Sequence, residues 1–218
     1  MTGVQTCALP IWQESGTTLL HQLQAYDPEI THIGGVDHAG MVQRLETEAS
    51  GLVLVARTEA AYRVLKHDVK HNRIVPHYLA LVEGNLSGED VIDLPIGNVK
   101  RGRGRLMVAR EGRPAQTSYK ALRHYKEGGQ AYTLLEVSTE SSRLHQIRVH
   151  LSWYGYPVVG DALYGSPHRS KLLPDRFFLH LTTLAFPHPI TGEPVSVESP
   201  MPLDLNAVLR FLTHPKGR

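Results

Sequence analysis

Gln43-Arg44-Leu45-Glu46-Thr47-Glu48-Ala49-Ser50-Gly51, followed at once by Leu52-Val53-Leu54-Val55-Ala56, is the stretch from which the rest of the chain is best read. Alternate residues of extended backbone point the same way, so Arg44 and Glu46 can share one side of a loop. A glycine then admits a sharp turn, and the apolar run after it has the composition of a buried strand over Leu52 to Ala56. Charged pairs at the edge of a rigid strand are common places for chemistry. The same residues also make an ordinary surface salt bridge, and on this stretch alone that is the commoner outcome.

The residues match, in part, the catalytic loop of the RluA-type RNA pseudouridine synthases, whose pattern is His-Arg-Leu-Asp-x-x-Thr-Ser-Gly-Leu. Arg44, Leu45, Ser50, Gly51 and Leu52 agree with it. Gln43 stands for the histidine, Ala49 for the threonine, and Glu46 for the essential aspartate. A second stretch resembles the same family. His77-Tyr78-Leu79-Ala80-Leu81-Val82-Glu83-Gly84 fits its Tyr-x-Ala-x-Val-x-Gly strand, whose tyrosine contacts the target base. A third, Arg143-Leu144-His145-Gln146-Ile147-Arg148-Val149-His150, fits Gly-Arg-x-His-Gln-Ile/Leu-Arg-Val-His, with Ser142 in place of the glycine. In the family the second arginine of that pattern, here Arg148, pairs with the catalytic carboxylate. The resemblance runs from about Gly16 to Leu212 and implies an α+β pseudouridine synthase fold, with a central mixed, mainly antiparallel sheet flanked by helices.

Other features are legible without that likeness. A chain of 218 residues, 41% hydrophobic and 20% charged, is long enough for a substantial core. The net charge of +2 does not by itself announce a nucleic-acid partner. Its distribution says more: Lys100, Arg101, Arg103, Arg105, Arg110, Arg113, Lys120 and Arg123 face one acid, Glu111, between Asn98 and Arg123. Glycines interleave the first half, as in a flexible loop suited either to a phosphate backbone or to plain solvation. The single cysteine, Cys7, excludes an internal disulfide and a Cys-based metal site. No run of eighteen apolar residues is present and no secretory signal is visible, so the expected location is the cytoplasm.

Met1 to Trp12 carries no charge and fits neither a helical nor a strand period. It resembles the translation of a sequencing adapter, and is set apart as 1–12, with a catalytic domain expected over 13–213 and a tail over 214–218. The family's first strand, with its Lys-Pro-x-Gly element, has no counterpart here, so a lost N-terminus is expected. Downstream, Leu19, Leu20 and Leu23 predict a short helix from Thr17 or Thr18 to about Ala25, broken at Asp27-Pro28. Thr58 reads as the N-cap of a helix ending near Asn72, with an apolar stripe of Ala61, Val64, Leu65 and Val69. Leu144, Ile147, Leu151 and Tyr154 predict the inner face of a helix containing Arg148. A final helix is expected over Asp204–Thr213. Gly160-Asp161-Ala162-Leu163-Tyr164-Gly165 reads as turn architecture.

Pseudouridine formation breaks the uracil–ribose bond, turns the held base and joins it through C5, with no redox change and no metal. The resemblance implies Glu46 as the catalytic carboxylate, Arg44 assisting base flipping, Tyr78 packing on the base and serving proton transfer, and Arg148 keeping the carboxylate ionised. RNA binding is expected of Arg101, Arg103, Arg105 and Arg113 in the basic loop, and of Arg143 and His145 by resemblance. The resemblance further implies an RNA partner, ribosomal or transfer, and a monomer is expected to bind it without membrane, cofactor or metal. His145 and His150, five residues apart with no third ligand in view, make a poor zinc pair. Glu and Asp have similar intrinsic pKa, so Glu46 changes reach rather than charge, by about 1 Å, and a misplacement of that size can cost about 10²-fold. Two readings therefore share the fold: an active synthase, or a catalytically silent RNA-binding homologue acting as a chaperone or assembly factor. An unrelated α+β enzyme or interaction domain is a third.

Overall fold

The structure is a computed structural model that describes residues 18–99, 105–165 and 171–214. In chain order the elements are α1 (Leu19–Tyr26), β1 (Ser50–Gly51), α2 (Glu59–Lys70), β2 (Val75–Glu83), β3 (Glu89–Asp93), β4 (Ile96–Asn98), β5 (Leu106–Val108), β6 (Gln116–Glu127), β7 (Gln130–Thr139), α3 (Gln146–Trp153), β8 (Leu179–Pro187), β9 (Pro194–Glu198) and α4 (Leu203–Thr213). A short 3-10 helix, Pro28–His32, comes after α1. The chain divides into two compact units, one comprising residues up to Pro76 with Leu181–Pro200, the other His77–His180 with the stretch from Met201 onward. The class is α+β as expected, with antiparallel pairing of β2 with β7, β7 with β6, β6 with β3, β4 with β5 and β8 with β9.

In the first unit, Thr18 caps α1: its hydroxyl accepts the His21 N–H, and His21 Nδ1 accepts the Thr18 N–H. Leu19 and Leu23 then point into a cluster with Ile30, Ala39, Met41 and Val53. Thr58 caps α2 by accepting the Ala61 N–H, as its sequence predicts, and Asn72 leaves the helix with a positive φ of 55°. The buried face of α2 is Tyr62, Leu65 and Asp68, not the expected stripe, and Val64 is exposed. Tyr62, which that stripe does not include, is an apolar body with a polar tip, and its ring would meet any Cβ at Gly34. Leu52 to Ala56 is buried or nearly so, but it is not a continuous strand. Regular pairing stops at Gly51, and the residues after it are held by single links: a Met41–Val55 bridge, Val42 N–H to Leu54 O, and Ala56 N–H to Gly40 O.

In the second unit, β7 lies between β2 and β6, and both of its faces are covered along its middle. Thr133, Leu134, Leu135 and Val137 are all buried, which explains the poor alternation in its sequence. Val158 to Asp161 runs beside β2, with a Val82–Val158 bridge, Val159 N–H to Leu81 O, and Phe178 N–H to Val159 O. The helix predicted around Arg148 begins later than the periodicity suggests. His145 has φ 54° and ψ 20°, a left-handed conformation that turns the chain immediately before Gln146. Leu144 therefore lies outside the helix and is 56% exposed, and Tyr154, its C-cap, is also exposed. From Gln146 to Leu151 every residue is buried, polar ones included, so α3 is a core helix rather than an amphipathic one. α4 buries Leu205, Val208 and Leu212, which lie at helical spacing, with Leu209 half-buried beside them.

Candidate active site

Arg44 and Glu46 lie together on the loop 43–49 of the first unit. Leu45 packs into the cluster around Leu19 and Met41, which leaves Arg44 exposed and Glu46 half-buried. A turn comes next, closed by the Ala49 N–H on the Glu46 carbonyl at 2.9 Å. The far end is fixed by Gly51, whose φ is 126° and whose would-be Cβ would fall on the Leu181 carbonyl oxygen. Leu52 N–H also bonds that oxygen, at 3.2 Å. No side chain but glycine fits this junction, so the backbone carrying Glu46 is anchored at both ends.

Tyr78 sits half-buried on β2, opposite Val137 of β7. Arg148 is on the buried helix α3 and is only 6% exposed. Its guanidinium forks onto Asp161, Nε to Oδ2 and Nη2 to Oδ1, both at 2.7 Å. Asp161 is 2% exposed and also accepts the Leu163 and Tyr164 N–H groups, at 2.9 and 3.0 Å. Burial pushes the Asp161 carboxyl up, but the Arg148 fork and the two backbone donors outweigh it and hold its pKa below the usual value. The guanidinium also lies over the rings of Phe177, 4.2 Å from its centroid, and Tyr164, 5.0 Å away. Gly160, with φ 83°, makes this possible: a Cβ there would strike the Arg176 carbonyl oxygen.

The N-terminal turn of α3 is tied down by its polar side chains. Gln146 Oε1 accepts from the Ser141 hydroxyl and the Arg143 N–H, while its amide donates to Gln116 O and Thr117 Oγ1. His150 Nε2 lies 2.9 Å from the Leu94 carbonyl, so that nitrogen carries the proton, and Nδ1 receives the Thr117 hydroxyl at 2.8 Å. Burial pushes the His150 pKa down, against the Leu94 carbonyl and Asp93. Both ring nitrogens are thereby used in joining α3 to β6 and to the chain before β4. Among the described residues, no cluster of three or more His, Cys, Asp or Glu side chains is placed to hold a metal. None of the described helices is long and apolar enough to cross a membrane.

The residues expected to contact RNA fall into two groups. Arg113, exposed, pairs its backbone with Ile96, and Arg143 donates from Nε to the neighbouring Pro114 carbonyl at 3.0 Å. Arg105, exposed at the start of β5, lies 5.7 Å from the Tyr164 ring, whose hydroxyl is 2.9 Å from His145 Nδ1. His145 is half-buried, and desolvation, helped by Arg148 and opposed by Asp161, lowers its pKa to about 4. Arg101 and Arg103 lie outside the described residues, as does the segment 1–12. Sequence reasoning places Asp161 and Tyr164 only in a turn and misses their part in the site. The signal that points to Asp161 is Arg148 itself, since a buried arginine requires a buried acid.

The family model for RNA pseudouridylate synthase matches residues 17–153, more than half of the chain, and includes both the Arg44–Glu46 loop and Arg148. The chain belongs to the RNA pseudouridine synthase family. It is 43% identical over 195 residues to an uncharacterized RNA pseudouridine synthase of Chloroflexus aurantiacus, a match covering 89% of this chain and 60% of that protein. It is 40% identical over 202 residues to ribosomal large subunit pseudouridine synthase D of Nitrosomonas europaea, covering 89% and 56%. The chain therefore spans about three fifths of the length of these relatives. Among solved structures, human RNA pseudouridylate synthase domain containing 1 superposes with a TM-score of 0.72 at 29% identity, covering 88% of this chain and 78% of that one.

Proposed function

We propose that this protein isomerises uridine to pseudouridine in RNA, with Glu46 as the carboxylate that begins the reaction. The C1′–N1 bond breaks, the uracil turns, a C1′–C5 bond forms, the C5 hydrogen leaves as a proton and N1 takes one up, so no electrons are gained or lost. Arg44 assists extrusion of the base, Tyr78 packs on it, and Arg148 supplies the cation of the site. The observation that carries this reading is the anchored loop. Leu45 directed into the core and Gly51 seated against Leu181 hold the backbone of Glu46 in place, so the longer side chain has a fixed base from which to act. The substrate we favour is large-subunit ribosomal RNA, supported by the name of the Nitrosomonas relative. Arg105, Arg113 and Arg143 contact its phosphates, and the protein acts as a monomer.

The test is tritium release from large-subunit ribosomal RNA transcribed with uridine labelled at C5. Native protein is expected to release tritium, Glu46→Asp to do so at least as fast, and Glu46→Gln and Arg44→Ala not at all. Release by Glu46→Asp alone would assign the native chain to RNA binding without catalysis. Release by neither, with RNA still bound, would overturn the enzymatic reading.

A further inference from the structure

Tyr164 meets three of the expected functional residues at once. Its hydroxyl accepts the backbone N–H of Leu106 at 3.0 Å, the residue next to Arg105 on β5. The same hydroxyl is 2.9 Å from His145 Nδ1, and the two rings meet edge to face. The tyrosine ring lies 5.7 Å from the Arg105 guanidinium and 5.0 Å from that of Arg148. Its backbone N–H is one of the donors that fix Asp161, and its carbonyl accepts the Ser152 hydroxyl of α3 at 2.6 Å. The side chain is buried in a small cluster with Ile96, Ala115 and Val149, against which Leu106 and Val108 of β5 pack.

A phenol in a core needs a partner for its hydroxyl, but either His145 or any nearby carbonyl would satisfy that need. The Leu106 N–H is a different matter. It belongs to a three-residue strand paired with β4 along one edge, directly beside an exposed arginine. Held there, the start of β5 has a fixed position relative to Arg148, whose guanidinium lies over the same ring. We propose that Tyr164 is a positioning residue: its hydroxyl holds the Arg105 end of the β4–β5 hairpin in register with Arg148, so that an RNA phosphate gripped by Arg105 is set at a fixed offset from the reacting uridine. The proposal rests on the assignment of RNA as substrate.

Tyr164→Phe removes the hydroxyl and keeps the ring beneath Arg148. Losing the Leu106 hydrogen bond is expected to raise the Kd for labelled ribosomal RNA and the KM for tritium release by about three- to tenfold, with kcat changed less than about twofold. A double-mutant cycle with Arg105→Ala separates positioning from general packing. If Tyr164 acts through Arg105, the phenylalanine substitution has no further effect on Kd once Arg105 is gone. Circular dichroism melting checks that each variant is folded, the two hydrogen bonds lost in Tyr164→Phe, to Leu106 and His145, costing roughly 2–12 °C. An unchanged Kd in Tyr164→Phe, or an equal rise in both backgrounds, overturns the proposal. Because Kd is measured without turnover, a native protein that binds RNA but releases no tritium would refute the catalytic assignment and leave the binding cycle to decide this one.

Discussion

Replacing Asp161 by asparagine keeps the shape of the Arg148 site and removes its charge. In the native protein Oδ1 takes three donors, from Arg148 Nη2, Leu163 and Tyr164, and Oδ2 takes Arg148 Nε at 2.7 Å. With the asparagine oxygen in the Oδ1 place, three of those bonds survive but without the carboxylate's charge. The new NH₂ group then faces the Arg148 N–H, donor against donor, and the buried guanidinium loses the Asp161 charge. Stranding one partner of a buried pair costs about 3–5 kcal/mol, a large part of a total stability of about 5–15 kcal/mol. For a chain of this size that is a fall in Tm of roughly 6–20 °C. Urea unfolding followed by circular dichroism at pH 7 measures it. Arg148→Met with Asp161→Asn is the partner experiment: the asparagine oxygen still accepts the Leu163 and Tyr164 N–H groups and no guanidinium faces its NH₂, so the double variant should cost less than Asp161→Asn alone. Acid supplies an independent check. The folded pKa of Asp161 is depressed, so its contribution is present above the unfolded value of about 3.9 and is lost as pH falls through the lower, folded value. The native protein should therefore lose its advantage over Asp161→Asn as the pH falls below about 4. A cost under about 1 kcal/mol at pH 7, or no convergence in acid, would refute the view that this pair holds Arg148.

Other expectations concern the loop, the histidines and the basic side chains. Gly51→Ala should destabilise by about 2 kcal/mol or more and abolish tritium release, since φ 126° and the Leu181 carbonyl both oppose a Cβ; a soluble, active Gly51→Ala protein would contradict the anchored loop. His145 and His150 both have depressed folded pKa values, so each stabilises fully above the unfolded value of about 6.5 and less as pH falls. For His145 the loss should run from about pH 6.5 to about 4, and a melting curve flat across that window in native protein would refute it. Arg113→Ala should weaken RNA binding evenly across sequences and reduce the slope of log K against log salt by about 1; an unchanged slope would remove Arg113 from the phosphate contacts.

The α+β class, a first helix starting at Thr17 or Thr18, the N-cap at Thr58, the end of α2, the last helix and the family of the chain are all legible in its residues. These rest on interactions between residues close in sequence, or on motifs whose spacing survives in the chain. Arg44 and Glu46 can likewise be placed on one loop from sequence, because alternation is a property of extended backbone. Other features depend on how distant segments meet. α3 begins at Gln146 because His145 adopts a left-handed conformation that no periodicity records, so Leu144 faces outward despite its helical spacing. Tyr62 displaces Val64 from the buried face of α2 because the loop at Gly34 lies over its ring. Asp161 becomes the partner of Arg148, thirteen positions away, through a glycine pressed against the Arg176 carbonyl, an encounter set by the path of Val158 to Asp161 beside β2. A buried charge announces that it needs a partner; only the folded chain says which one it receives.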